Sequence, residues 1–171
     1  TVFFLDICDA NNGKLYSVDI NNYSHLFKKD NWKFIHCSDD DYDKVIKESQ
    51  KNFDLILIDS FHNPQHVKKL IYHYFDYLKK GGIIIIDDIS WIPYSKGNYR
   101  DHPHTEIINR DTFSEILNII SNNKDLIKVH FSFEDSGLAK IVKLENQPLK
   151  HGPKIKSREY SIKNIIKRII K

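Results

Sequence analysis

The chain has 171 residues, enough to bury the core of one domain. Hydrophobic residues make up 40% of it and charged ones 29%, an ordinary globular balance, and a net charge of +3 gives no support to nucleic-acid binding. No apolar run approaches the ~20 residues a membrane span needs. Among the longest, Ile83–Ile86 stops at Asp87 and Asp88, and no signal-peptide pattern is present.

Only Cys8 and Cys37 are present, in no metal-ligand or disulfide-framework spacing, which points to a reducing cytoplasm. There is no Met, even at position 1, and Thr1 opens straight into an apolar segment. The expectation is that an N-terminal part lies upstream.

Short apolar runs ending in acids alternate with helical patterns. The turn signal Asn11-Asn12-Gly13 leads into a first predicted strand, Leu15–Asp19. Trp32–Cys37 is the second, followed by Ser38-Asp39-Asp40-Asp41, and Asp41–Lys51 reads as a short helix. Phe53–Asp59 is the third strand and Gly82–Asp88 the fourth. Near-continuous Val, Ile and Leu in such runs predicts burial on both faces, as in a parallel sheet. Between them, Val67, Leu70, Ile71, Tyr74 and Leu78 recur at helical spacing over Pro64–Lys80, with Pro64 in the first turn and Gly81-Gly82 at the end. This alternation predicts a doubly wound α/β sheet.

Ser90–Arg110 has no clear periodicity and reads as a long functional loop. Thr112–Asn122 reads as a helix with Asp111 as its N-cap. Lys128–Phe133 and Leu138–Leu144, joined around Asp135-Ser136-Gly137, predict a closing antiparallel hairpin. The chain thus divides into a domain over residues 1–149 and a basic tail over 150–171. In the tail, Ile162, Ile165, Ile166, Ile169 and Ile170 stand at helical spacing among Lys163, Lys167, Arg168 and Lys171.

Ligands of open α/β sheets bind beyond the carboxyl ends of the strands, so Asp19, Asp39, Asp59, Asp87 and Asp88 should converge on one edge. Asp19 has the position of an acid that holds ribose hydroxyls, or it is a turn aspartate before Asn21-Asn22. Ser38 and Asp39 would meet an adenine edge, or begin a helix whose dipole favours acids. Asp59, Asp87 and Asp88 would repel one another unless a cation sat between them, and hard oxygen ligands suit Mg²⁺ better than Zn²⁺. His62 is a candidate general base or orienting group, the alternative being a plain loop histidine. Trp91, Tyr94, His102 and His104 are candidates to line a substrate pocket. His66, His73 and His151 read as surface or structural residues.

Three stretches carry a resemblance: Tyr16–Asp19, Asp54–His62 and Leu78–Asp88. They resemble the motifs of class I S-adenosylmethionine-dependent methyltransferases. More narrowly they are similar to the bacterial metal-dependent O-methyltransferases that include macrocin O-methyltransferase, over about Thr1–Leu144. The resemblance implies a Rossmann-like fold, with S-adenosylmethionine and Mg²⁺ as cofactors. It places Asp19, Ser38, Asp39 and Asp59 toward the S-adenosylmethionine and Asp59, Asp87 and Asp88 on the metal. The family's Gly-rich loop is absent, and Thr1–Ala10 corresponds to the helix after it. The first strand and that loop are thus expected upstream. Some relatives carry an acid as base two residues beyond the metal Asp; here that place is Phe61, which leaves His62 as the candidate.

The expected reaction is methyl transfer to a hydroxyl of a small molecule, and sugar-modifying members of the resembled group point to a sugar or glycosylated metabolite. An NAD-type Rossmann oxidoreductase and a degenerate, non-catalytic nucleotide-binding domain are the rival readings. The former has no use for the three acids at Asp59, Asp87 and Asp88. For the tail the readings are peripheral contact with an anionic membrane, or packing on its own domain or on a second subunit in a homo-oligomer.

Overall fold

A computed structural model describes residues 1–90, 103–156 and 161–170. Trp91, Tyr94, His102, Tyr160 and Lys171 therefore lie outside the described residues. In chain order the elements are α1 (Val2–Ala10), β1 (Leu15–Asp19), β2 (Trp32–His36), α2 (Tyr42–Glu48), β3 (Phe53–Ile58), α3 (Pro64–Phe75), β4 (Leu78–Asp87), α4 (Pro103–Asn122), β5 (Ile127–Ser132), β6 (Leu138–Lys143) and α5 (Ile162–Ile169).

The strands form two sheets. β1 and β2 are parallel, with Leu15 opposite Trp32 and Asp19 opposite His36. The second sheet has the order β3-β4-β6-β5. β3 and β4 are parallel, Ile56 facing Ile84 and Ile58 facing Ile86, while β6 runs antiparallel to both β4 and β5. The predicted hairpin is therefore present and closes the sheet.

Helix α3 starts where Asn63 caps it, its side-chain oxygen accepting from the backbone N–H groups of Gln65 and His66 with Pro64 in the first turn. Val67, Leu70, Ile71, Tyr74 and Phe75 turn inward and are buried. The helix stops at Phe75, five residues short of the predicted Lys80. Its last carbonyl, that of Phe75, is met by Lys143, whose buried Nζ donates at 2.8 Å both to it and to the oxygen of Leu78 at the start of β4. Gly81-Gly82 does not end a helix; it lies inside β4. Between the pairs Phe53–Leu78 and Leu55–Ile83 the register shifts, β4 using more residues than β3, and Gly81 takes up the excess at φ 82.

Helix α4 also departs from expectation. It begins at Pro103, so Asp111 is an exposed interior residue beside Arg110 rather than an N-cap. Asn109, Thr112 and Glu115 turn inward from it, and these polar residues hide the helical period.

Helices α3 and α4 pack on each other and on one sheet face, burying Ile58, Ile84, Ile86, Ala139 and Ile141. A side chain such as Phe75, fully buried here, stabilises the fold by about 1.5–3 kcal/mol. The other face is covered less. Leu55 and Leu57 are 40% and 41% exposed, so β3 is not buried on both faces as its apolar run predicted. β1 and β3 are not hydrogen-bonded to each other. A cleft of about 370 Å³ runs between them, lined by Tyr16, Val18, Leu55, Leu57 and Asp59 among others.

The first part of the tail is moored to α4 and to the residue that follows it. Lys150 and Ile155 donate their N–H groups to the side-chain oxygens of Asn123 and Asn118, and His151 stacks on Tyr72. Helix α5 beyond it has no buried residue. Among the described residues no helix is long and apolar enough to cross a membrane.

Candidate active site

The carboxyl ends of β2, β3 and β4 are tied together by their side chains. Ser60 donates to Asp39 Oδ2 at 2.5 Å, joining the loop after β3 to the loop after β2. His66, one turn into α3, holds the same carboxylate through Nε2 at 3.0 and 3.2 Å. Tyr74 donates its hydroxyl to the backbone oxygen of Asp39 at 2.6 Å. Burial, followed by the nearby charge of Asp39, pushes that phenol far above its ordinary range, so it stays a donor.

A second cluster lies beside the first. His62 Nε2 stands 3.2 Å from Asp88 Oδ2 and 3.8 Å from Asp59 Oδ1. Asp59, His62 and Asp88, separated by up to 29 sequence positions, thus share one small volume. Asp59 is 55% exposed and Asp88 29%, so this volume opens to solvent. Asp88 takes φ 59, an unusual backbone for a residue with a side chain and one that collects at functional sites.

Asp87 is turned elsewhere. Its Oδ1 accepts from Ser136 Oγ at 2.9 Å and from the Asp88 N–H at 2.8 Å. The contact anchors the β5–β6 turn to the end of β4, and Gly137 packs so closely under Ser90 that an added Cβ would lie 2.6 Å from the Ser90 nitrogen. Asp87 therefore holds Asp88 in position.

The remaining candidates are placed as follows. Asp19 ends β1, and its Oδ1 accepts from the Asn21 N–H at 2.7 Å in a turn. Ser38 donates to Asp40 Oδ1 at 2.5 Å, so both Ser38 and Asp39 have partners inside the protein. His104 is an exposed residue in the first turn of α4. Of the histidines read as structural, His73 stacks on Tyr42 and His151 on Tyr72, while His66 belongs to the Asp39 cluster. Ser60, His66 and Ser136 were not among the sequence candidates. His66 carried one signal, its spacing of four from His62 at the start of a helix.

Among the described residues no three His, Cys, Asp or Glu side chains form a ready metal cage. Asp59 and Asp88, flanking one imidazole nitrogen, nevertheless fit a hard cation that binds through one or two carboxylates and keeps several waters. The acceptor-only carboxylate of Asp19, at a strand end beside the cleft, likewise suits a pair of ribose hydroxyls.

Comparison with known proteins adds the following. A search of curated sequences finds no match. Among solved structures, the SAH-bound methyltransferase PaMTH1 of Podospora anserina is similar at 15% identity and a TM-score of 0.56, over 76% of this chain and 60% of that one. A Staphylococcus aureus protein assigned as a caffeoyl-CoA O-methyltransferase is 18% identical, with a TM-score of 0.56, over 76% of this chain and 64% of that one. MycE of the mycinamycin biosynthetic pathway, in complex with Mg and SAH, is 22% identical, with a TM-score of 0.55, over 78% of this chain and 37% of that one. The chain thus spans less than two thirds of each, and at these identities they establish its Rossmann-like fold. A family model described as a methyltransferase domain matches residues 1–89, more than half of the chain, which includes Asp19, Ser38, Asp39, Asp59, His62, Asp87 and Asp88. The chain is a member of this methyltransferase-domain family.

Proposed function

We propose that this domain serves methyl transfer from S-adenosylmethionine to a hydroxyl of a small molecule, a sugar or glycosylated metabolite, with Mg²⁺ assisting. The observation that carries the reading is the cluster of Asp59, His62 and Asp88 at the carboxyl ends of β3 and β4. Structural neighbours solved with SAH, and in one case with Mg, support the cofactor choice.

In this reading Asp19 holds the ribose and the loops bearing Ser38 and Asp39 border the adenine. Asp39 does so as a fixed wall, since Ser60 and His66 already engage its carboxylate. β1 and β3 share no ladder and line one cleft, so each offers an open edge there, which supports the expected further strand and Gly-rich loop between them.

Transfer is a displacement in which the acceptor oxygen forms a bond to the methyl carbon as the carbon–sulfur bond breaks. It gains chiefly from orientation. His62 Nε2, 3.2 Å from Asp88 and 3.8 Å from Asp59, is the ring nitrogen that faces the acid pair and would take the proton of a hydroxyl held there. Asp59 and Asp88 would hold Mg²⁺, with Asp87 fixing Asp88 from behind. When bound, the ion would lower the hydroxyl's pKa and fix its oxygen.

Calorimetric titration with S-adenosylhomocysteine, NAD⁺ and Mg²⁺ tests this. Saturable binding of S-adenosylhomocysteine, no binding of NAD⁺, and Mg²⁺ binding lost in Asp59→Asn and Asp88→Asn are expected. Binding of NAD⁺ alone would establish the oxidoreductase reading, and binding of S-adenosylhomocysteine without methyl transfer the non-catalytic one. Full methyl transfer in EDTA would remove the metal from the scheme.

A further inference from the structure

The small net charge conceals a strong segregation. Residues 150–171 carry eight Lys and Arg against the single acid Glu159, so residues 1–149 hold eighteen against twenty-two acids. At the far end of this basic segment stands α5, with no acid anywhere in Ile162–Ile169.

Apolar and basic groups are separated around this helix. At ~100° per residue, Ile162, Ile165, Ile166, Ile169 and Ile170 fall within an arc of about 140°, and Lys163, Asn164, Lys167 and Arg168 take the other side. The isoleucines are in the open: Ile162, Ile169 and Ile170 are 77–79% exposed, and Ile165 and Ile166 44% and 48%. A contiguous apolar stripe of this kind marks an interaction face.

We infer that α5 lies flat on an anionic lipid bilayer surface, its isoleucines entering the acyl boundary and its Lys and Arg meeting lipid phosphates. The charge pattern selects this occupant. A second copy of α5 would bring like charge against like. A nucleic acid would use the basic side and leave five isoleucines in water. A bilayer with acidic headgroups satisfies both sides of the helix at once, and Lys stems spread along the border can cover apolar surface while their heads stay wet. The acidic body is repelled by the same surface, so the molecule approaches tail first. Because residues 150–155 are hydrogen-bonded to α4 and to the residue that follows it, the body stays within a few residues of the membrane plane.

Sedimentation of the whole chain with sucrose-loaded vesicles tests this, comparing phosphatidylcholine alone with phosphatidylcholine containing one quarter phosphatidylglycerol. Binding to the anionic vesicles should be at least tenfold stronger and should fall steeply between 0.05 and 0.5 M salt, as expected from screening over about 10 Å at 0.1 M. Ile165→Asp/Ile169→Asp should lose binding at least tenfold. Lys163→Gln/Lys167→Gln should lose only the preference for anionic lipid. Neither double variant touches the buried core, so both should retain the parent's thermal transition. Equal partitioning of parent and variants would overturn the proposal. So would a dimer in ultracentrifugation, abolished by the Ile variant, in a chain that binds no vesicles.

Discussion

At Asp88 the carboxylate next to His62 sits on a backbone turned to φ 59. A side chain in this region costs on the order of 1 kcal/mol, which glycine does not incur. Asp88→Gly is therefore expected to raise the unfolding free energy in urea by about 0.5–1 kcal/mol while reducing methyl transfer at least a hundredfold. Loss of stability together with activity would mean that the His62 contact outweighs the strain. The acids at Asp59 and Asp88 were legible as strand ends, and His62 from its place three residues on. Their neighbours were not. Ser60 reaches Asp39 and Ser136 reaches Asp87 across 21 and 49 positions, and which way a short polar side chain turns depends on packing rather than on spacing.

Among the helices, Glu115 is the joint. Its buried carboxylate accepts from Gln65 and Lys68 of α3, both at 3.0 Å, and lies 3.4 Å from Lys154 of the tail. Burial alone would raise its pKa, but the hydrogen bonds from Lys68 and Gln65 prevail and hold it at about 2. Folding thus lowers this pKa from 4.5, so the stabilisation is fully present above pH 4.5 and is lost as the pH falls from there toward 2. Glu115→Gln should cost on the order of 2 kcal/mol at pH 7 and flatten the stability profile between pH 4.5 and 2, measured by chemical unfolding. A variant with the parent's acid slope would assign that slope to other carboxylates. Most elements were legible from apolar runs closed by acids, as at Leu15–Asp19, and from the Pro64 start of α3. The errors fell at α3's end and α4's start. Leu78 kept helical spacing with Tyr74 although it begins a strand, and Asn109, Thr112 and Glu115 put polar residues on a buried face.

Across the whole molecule, β1–β2 and the four-stranded sheet share no ladder. They are joined by the Asp39 cluster, by Val45 of α2 in the common core, and by an edge-on contact of Tyr16 with Phe53 at 6.2 Å. Residues of a parallel strand alternate in the side to which their backbone groups point. In β1 and β3 every second one therefore faces the cleft, whereas β4 is paired on both sides. The consequence is a gradient of opening free energies within one native state. In hydrogen–deuterium exchange the amides of Ile84 and Ile86 should be the slowest, and those of Val18 and Phe34 at least a hundredfold faster. The two-stranded unit would then open and reclose many times before the rest of the molecule unfolds once. Equal protection of the two sets would mean that the Asp39 cluster fuses both sheets into a single cooperative body, whose parts exchange only when all of it does.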